Sequence, residues 1–185
     1  MPLLIEPESV ADVPAVRDVA LAAFPDEPGV ADLVEAIRFS PQYEPDLSLV
    51  ARVDGRVAGF VMISHAELVE DGAGPTGETD AARWHDVLSL SPLAVAPDRQ
   101  RRGIGAALVR VALAAADLAG ASLVTLEGSP RYYGRLGFRS AAEAGIVMHL
   151  PDWTPPEAAQ VYLLRGYDPS ARGRLVYPPA FDAVT

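Results

Sequence analysis

The sequence predicts an α/β chain, on three observations. Apolar residues recur at helical spacing in three segments, strand-like apolar runs stand between them, and one strand leads through a glycine-containing turn straight into a helix. At 185 residues the chain suits a single domain with a buried core.

The elements follow in order. Leu3 to Ile5 is a short apolar segment ended by Pro7. Ser9 with Asp12 three residues on resembles a capping box, the acidic residue standing where Glu is usual. Val10, Val13, Val16, Ala20 and Phe24 then repeat at helical spacing until Pro25, Pro28 and Gly29 break the helix. A second amphipathic stretch runs from Val30 to Phe39. Leu47–Val53 and Val57–Val69 flank Asp54-Gly55, a type I′ turn signal, and so predict a hairpin. Residues 70–82 are rich in Gly, Glu, Asp and Thr and predict a surface loop. Val87 to Val95 predicts a third strand, expected to bulge or lose pairing at Pro92, which has no N–H to donate. From Gly103 to Ala119, Ile104, Leu108, Val111 and Ala115 keep helical spacing, closed by Gly120. Leu123–Leu126 predicts a short strand and Pro130–Leu136 a short helix ended by Gly137. Val147–Leu150 and Val161–Leu164 predict further strands. No internal repeat or long linker interrupts the chain.

Absent residues exclude whole chemistries. Without cysteine there is no disulfide, thiolate metal site or cysteine nucleophile. All 15 positive side chains are arginine. Lysine's absence removes a Walker-A loop and any Schiff-base mechanism. Asparagine is missing too, and GC-rich codon usage explains these gaps. No apolar run approaches the roughly 20 residues of a membrane span. The N-terminus lacks a basic signal-peptide region, so the expectation is a cytoplasmic protein off the membrane. A net charge of −10 disfavours nucleic acid as a partner. That charge is uneven: residues 1–98 hold 18 acidic and 5 basic side chains, residues 99–185 hold 7 and 10. Such a split suggests two ligands of opposite charge.

The segment Leu93-Ala-Val-Ala-Pro-Asp-Arg-Gln-Arg-Arg-Gly-Ile-Gly-Ala106 is the most informative. Glycines allow close backbone approach, the first free N–H groups of a helix point outward, and the helix dipole favours an anion such as a pyrophosphate. Arg99, Arg101, Arg102 and Arg110 add charge there. A dinucleotide fingerprint fits poorly, because Leu108 stands where a third small residue is needed. About thirty residues on comes Pro130-Arg-Tyr-Tyr-Gly-Arg-Leu-Gly-Phe138.

Gln100-Arg-Arg-Gly103-Ile-Gly105 resembles the Gln/Arg-x-x-Gly-x-Gly/Ala signature of the GNAT superfamily of N-acetyltransferases. Tyr133-Gly-Arg-Leu-Gly137-Phe138 resembles its Tyr-x-x-x-Gly-Phe motif. Both stand in the family's order over residues 3–150. The longer Pro-x-Tyr-Tyr-Gly-Arg-x-Gly-Phe form, with the Tyr-Pro-Pro-Ala-Phe-Asp tail at 177–182, looks like a bacterial branch. The resemblance implies the GNAT acyl-CoA N-acyltransferase fold, an α/β (α+β) domain whose mixed, mostly antiparallel sheet is flanked by helices. It places that domain at 1–150, with a C-terminal strand and tail at 151–185 packed on it or forming a dimer contact.

The same resemblance implies acetyl-CoA as cofactor and CoA as product. Backbone N–H groups of Arg101, Arg102, Gly103, Ile104, Gly105 and Ala106, beside Gln100, would hold the pyrophosphate. Leu93, Ala94 and Val95 would line the pantetheine arm, with Pro92 in a splayed strand. Tyr133 would protonate the departing thiolate, a role a phenol with a pKa of about 10 can fill at neutral pH. Many relatives hold an asparagine after the preceding strand; here Gly128-Ser129 stands there, and Ser129 is a weak substitute. Tyr132 reads as structural, and Arg131, Arg135 and Arg139 as a solvated face, with a place near the adenosine phosphate as the alternative.

The base is open. Ser89 acting through an ordered water leads, with Glu67 and His65 second. His65, His85 and His149 lack metal-ligand spacing, so no metal is expected. The acceptor is expected to be a small-molecule primary amine. Asp26, Glu27, Asp32, Glu35, Glu67, Glu70, Asp71, Glu78, Asp80 and Asp86 would steer a cationic one. The alternatives are a non-catalytic acyl-CoA sensor or scaffold, a partner-binding domain without CoA, and acetylation of a protein or peptide amine. A monomer and a homodimer fit equally.

Overall fold

Ser9 and Asp12 set where the first helix begins. The Asp12 carboxylate accepts the Ser9 N–H at 3.0 Å and the Ser9 hydroxyl at 2.7 Å. A 3-10 turn, Val10–Asp12, then leads into helix α1, Val13–Ala23. This turn puts Val10 out of phase with the helix, so the expected first residue of the apolar face is 91% exposed while Val16 and Ala20 are buried. The computed structural model describes residues 2–70 and 84–184, with side chains described through residue 181. All but the first residue of the expected 70–82 loop lies outside the described residues.

Internal contacts divide the chain into two compact units. The first comprises Met1–Ser64, Leu90–Ala119 and Pro178–Thr185, the second His65–Ser89 and Gly120–Tyr177.

In the first unit, strand β1 (Leu3–Pro7) pairs antiparallel with β2 (Tyr43–Val53). Strand β2 pairs antiparallel with β3 (Arg56–Val69), of which the part up to Ser64 belongs here. Asp54 and Gly55 join them with φ of 52° and 76°, the two positive values a type I′ turn requires. Strand β2 starts four residues earlier than its apolar run, because Tyr43 pairs with Ser64 across an irregularity that ends at Ser48. Strand β4 (Trp84–Val95) enters this unit at Leu90, and its Ser91–Pro92 peptide is cis. Helices α1 and α2 (Gly29–Arg38) bury Val16, Ala20, Val34 and Ile37 against Val50, Phe60, Met62 and Ala94. Ala180 and Phe181, from the terminal 3-10 segment Pro179–Val184, pack against the same core. Helix α3 (Ile104–Leu118) packs against β1 and β2. At this scale of burial, each large core side chain contributes about 1.5–3 kcal/mol.

The second unit holds the remainder of β3 and β4. Strand β4 runs parallel to β5 (Leu123–Glu127), with Leu88 opposite Val124 and Ser89 opposite Thr125. Strand β5 pairs antiparallel with β8 (Ala159–Leu163), which pairs antiparallel with the two-residue β6 (Arg139–Ser140). Strand β9 (Gly173–Val176) lies antiparallel to β3 and parallel to β7 (Ile146–Val147). Of the apolar run expected as a strand over Val147–Leu150, β7 thus takes in only Val147; Met148 instead packs in the core with Leu123, Ala141, Ile146 and Val161. The short helix α4 (Pro130–Tyr133) continues as a 3-10 turn, Gly134–Leu136, and ends at Gly137 with φ of 98°. The sheet is mixed and mostly antiparallel, with helices on it, as expected from the sequence.

Candidate active site

In the first unit, β4 ends at Val95 and the chain makes a 3-10 turn over Pro97–Arg99. The Ala96 N–H still bonds the Ala58 carbonyl at 2.9 Å, which ties the start of this turn to β3. Gln100 folds back, its side-chain amide donating to the Val95 carbonyl at 3.1 Å. The backbone then turns through the left-handed region twice, at Arg101 (φ 58°) and at Gly103 (φ 84°). Positive φ in so short a stretch swings successive N–H groups toward one side, the geometry of an anion-binding concavity.

Gly103 is the N-cap of α3 and carries no side chain to satisfy the first turn. The first i→i−4 bond of the helix runs from the Ala107 N–H to the Gly103 carbonyl at 3.0 Å. The N–H groups of Ile104, Gly105 and Ala106 precede it, so they are the donors a helix start leaves for a ligand. Arg101 and Arg102 stand exposed beside them. Behind this turn, Gly59 is needed for space: a Cβ there would lie 2.8 Å from the Ala94 carbonyl oxygen and 3.3 Å from Leu108 Cδ1.

The second unit holds Tyr133. Its N–H bonds the Ser129 carbonyl at 3.0 Å, and its own carbonyl accepts the Phe138 N–H at 3.2 Å. The ring meets Tyr132 and Phe138 edge-on, at centroid distances of 4.9 and 5.6 Å, and Phe138 in turn meets Tyr162 at 5.4 Å. Burial, with a smaller effect of Tyr132, pushes the Tyr133 phenol well above its ordinary range, so it holds its proton at neutral pH. Ser129 is exposed. Ser89 is 1% exposed, while Glu67 is exposed on β3 opposite Val176. No hydrogen bond or ion pair among the described residues joins Ser89 to Glu67.

These placements bear on the acidic residues as well. Arg17 takes Asp32 at 3.0 Å and Glu35 at 2.8 Å, and His85 Nε2 lies 2.8 Å from Glu70. Three of the carboxylates expected to steer a cation are therefore held by cationic or titratable partners. Asp71, Glu78 and Asp80 lie outside the described residues. Among the described residues no three His, Asp or Glu side chains form a group able to hold a metal, and no helix is long and apolar enough to cross a membrane.

Two residues around these sites carry no motif signal. Gly59 stands inside an apolar strand run, where an isolated glycine marks close backbone approach. Gln160 reads as an ordinary polar residue, yet it is 2% exposed and its amide donates to the Gly128 carbonyl at 2.8 Å.

The sequence model of the Acetyltransferase (GNAT) family matches residues 13–138, about two thirds of the chain and the stretch containing both the left-handed turn and Tyr133. The chain belongs to the GNAT acetyltransferase family. A relative, "uncharacterized N-acetyltransferase YjhQ" of Escherichia coli K12, is 33% identical over 132 residues, covering 71% of this chain and 67% of the relative. Among solved GNAT structures, the N-acetyltransferase YhbS of Escherichia coli in complex with CoA superposes with a TM-score of 0.80 at 27% identity, covering 97% of this chain and 92% of YhbS. A GNAT acetyltransferase of Brucella melitensis in complex with acetyl-CoA gives 0.72 at 29% identity, covering 98% and 99%. This GNAT chain is accordingly an acyltransferase.

Proposed function

We propose that this GNAT enzyme transfers the acetyl group of acetyl-CoA directly to a primary amine on a small molecule, the acidic excess of residues 1–98 favouring a cationic one. The observation that carries the reading is the double left-handed turn before α3, which leaves the Ile104, Gly105 and Ala106 N–H groups uncapped next to exposed arginines. This is a fit for a pyrophosphate by donor direction and charge. Complexes of YhbS with CoA and of the Brucella enzyme with acetyl-CoA support the choice of cofactor.

Acetyl-CoA supplies an activated thioester carbonyl and a thiol leaving group. Residues 101–106 hold its pyrophosphate through backbone N–H groups, with Gln100 fixing the turn through the Val95 carbonyl. Leu93, Ala94 and Val95 offer backbone to the pantetheine arm, and Ser129 a hydroxyl. Tyr133 gives its proton to the departing sulfur, a proton the phenol holds at neutral pH. The acceptor ammonium loses one proton through a water at Ser89 or to Glu67. Of these two, Glu67 is the exposed one and the easier exit to solvent. The acceptor nitrogen then attacks the thioester carbon, the C–S bond breaks as the C–N bond forms, and the nitrogen's second proton restores the one Tyr133 gives to sulfur. The absence of cysteine supports direct transfer over an acyl-enzyme relay.

The Pro130-x-Tyr-Tyr-Gly-Arg-x-Gly-Phe138 form supports a bacterial branch of the family and, with the composition, a cytoplasmic enzyme. Residues 1–150 serve as the transferase domain. The pairing of β8 with β5 supports residues 151–185 as part of that same domain.

The test is Tyr133→Phe. Turnover falls by about 10²-fold or more if the phenol is the acid, while acetyl-CoA affinity holds within about twofold. Equal turnover removes Tyr133 from that role. Cationic acceptors should also lose kcat/KM as salt rises, and better activity on anionic amines refutes the acceptor class.

A further inference from the structure

The Tyr133 ring rests directly on Gly128. A Cβ at residue 128 would lie 2.4 Å from Tyr133 Cε2 and 2.9 Å from its Cδ2, so the ring occupies the volume any side chain would need. Gly128 is not in a left-handed conformation, so no left-handed backbone strain calls for glycine here. Glycine at this position is therefore required chiefly by the ring, with Leu126 Cδ1 a second, looser neighbour at 3.3 Å. The Gly128 peptide is in turn held from both sides: its N–H bonds the Ala158 carbonyl at 2.9 Å, and its carbonyl accepts the Gln160 amide at 2.8 Å. Gln160 sits on β8, beyond the stretch matched by the family, and is almost wholly buried. A buried amide aimed at one carbonyl is costly to leave unpaired, so this contact resists displacement.

We propose that Gly128 and Gln160 are positioning residues for the Tyr133 hydroxyl: the bare Cα at 128 seats the ring, and the Gln160 amide fixes the peptide that forms the seat. The proposal rests on Tyr133 being the acid. A ring displaced by one ångström still folds into the protein, yet its hydroxyl misses the atom it must protonate, and such misplacement costs on the order of 10²-fold in rate.

Four variants decide it: Gly128→Ala, Gln160→Met, Tyr133→Phe and the double Gly128→Ala/Tyr133→Phe. Gly128→Ala is expected to lower kcat at least about tenfold with the acetyl-CoA KM within about twofold. In the Tyr133→Phe background the same change costs less than about twofold, because the group it positions is gone. Gln160→Met keeps side-chain length, removes the donor and lowers kcat about threefold or more; it serves should Gly128→Ala fail to fold. A readout independent of turnover is the Tyr133 phenol titration, taken as the near-ultraviolet difference between each protein and its Tyr133→Phe counterpart. Gly128→Ala should bring that titration down toward the ordinary tyrosine range as the ring moves into water. If Tyr133→Phe is impaired but Gly128→Ala keeps wild-type kcat and an unmoved titration, the positioning proposal is overturned and the acid reading stands. Additive losses in the double variant overturn it equally. If Tyr133→Phe turns over like wild type, the acid reading itself fails.

Discussion

Gly103→Ala isolates what the left-handed turn contributes to the proposed phosphate end of the site. The residue sits at φ 84°, and an added Cβ would meet nothing within 4 Å. Its whole cost is thus backbone strain, about 1–2 kcal/mol for an L-residue with a β-carbon in this region. The chain can absorb that cost in two ways. If the turn holds, stability falls, and for a chain of this size 1–2 kcal/mol is a loss of about 2–8 °C in Tm. If the turn relaxes, the N–H groups ahead of Ala107 swing away and CoA affinity falls by roughly 5- to 30-fold. Gly103→Asn is the control, since asparagine tolerates the left-handed region and should recover a good part of either loss. Melting curves with and without CoA, together with calorimetric titration of CoA, separate the two routes. A Gly103→Ala protein with unchanged Tm and unchanged CoA affinity refutes the claim that this turn shapes the site.

Gly59→Ala should destabilise by about 1–3 kcal/mol through overpacking, because its Cβ would press on the Ala94 carbonyl and on Leu108; a denaturant midpoint equal to wild type contradicts this. Gln100→Ala frees the Val95 carbonyl and should weaken CoA binding severalfold with little change in Tm, as Gln100 is exposed. At Asp12, burial alone would raise the carboxyl pKa, but the Ser9 hydroxyl and N–H and the Arg52 guanidinium outweigh it and hold it below the ordinary value. A depressed carboxyl pKa contributes stability above the unfolded value near 3.8 and loses it as pH falls through the folded one. Asp12→Asn should therefore cost about 2 kcal/mol at pH 7, with the gap to wild type closing below about pH 4; a gap independent of pH sinks this account.

Local signals made much of the molecule legible. Two positive φ angles were implied by Asp54-Gly55, a helix start by Gly103 and a helix stop by Gly137, and each follows from what glycine and short polar residues do to a chain. The strands that escaped the sequence depend on distant partners. Arg139–Ser140 has no apolar pattern and is a strand only because β8 lies beside it, and Gly173–Val176 is one because it meets β3 and Ile146–Val147. Phe39 closes an apolar helical pattern yet is 87% exposed, because α2 ends at Arg38 and the chain turns away. At the candidate site, the left-handed turn before α3 and Tyr133 stand on contiguous motifs. The seat of Tyr133 was hidden because it joins Gly128 to Gln160, two residues whose types suggest a loop and a surface.

The most direct measurement of the central claim is CoA thiol release from acetyl-CoA across a panel of amines, with the acetylated product identified by mass. The account predicts release that depends on a primary amine, matches acetylated product one to one, favours cationic acceptors at low salt and falls sharply in Tyr133→Phe. Binding of acetyl-CoA, seen as a raised Tm, with no amine-dependent thiol release across the panel would contradict it.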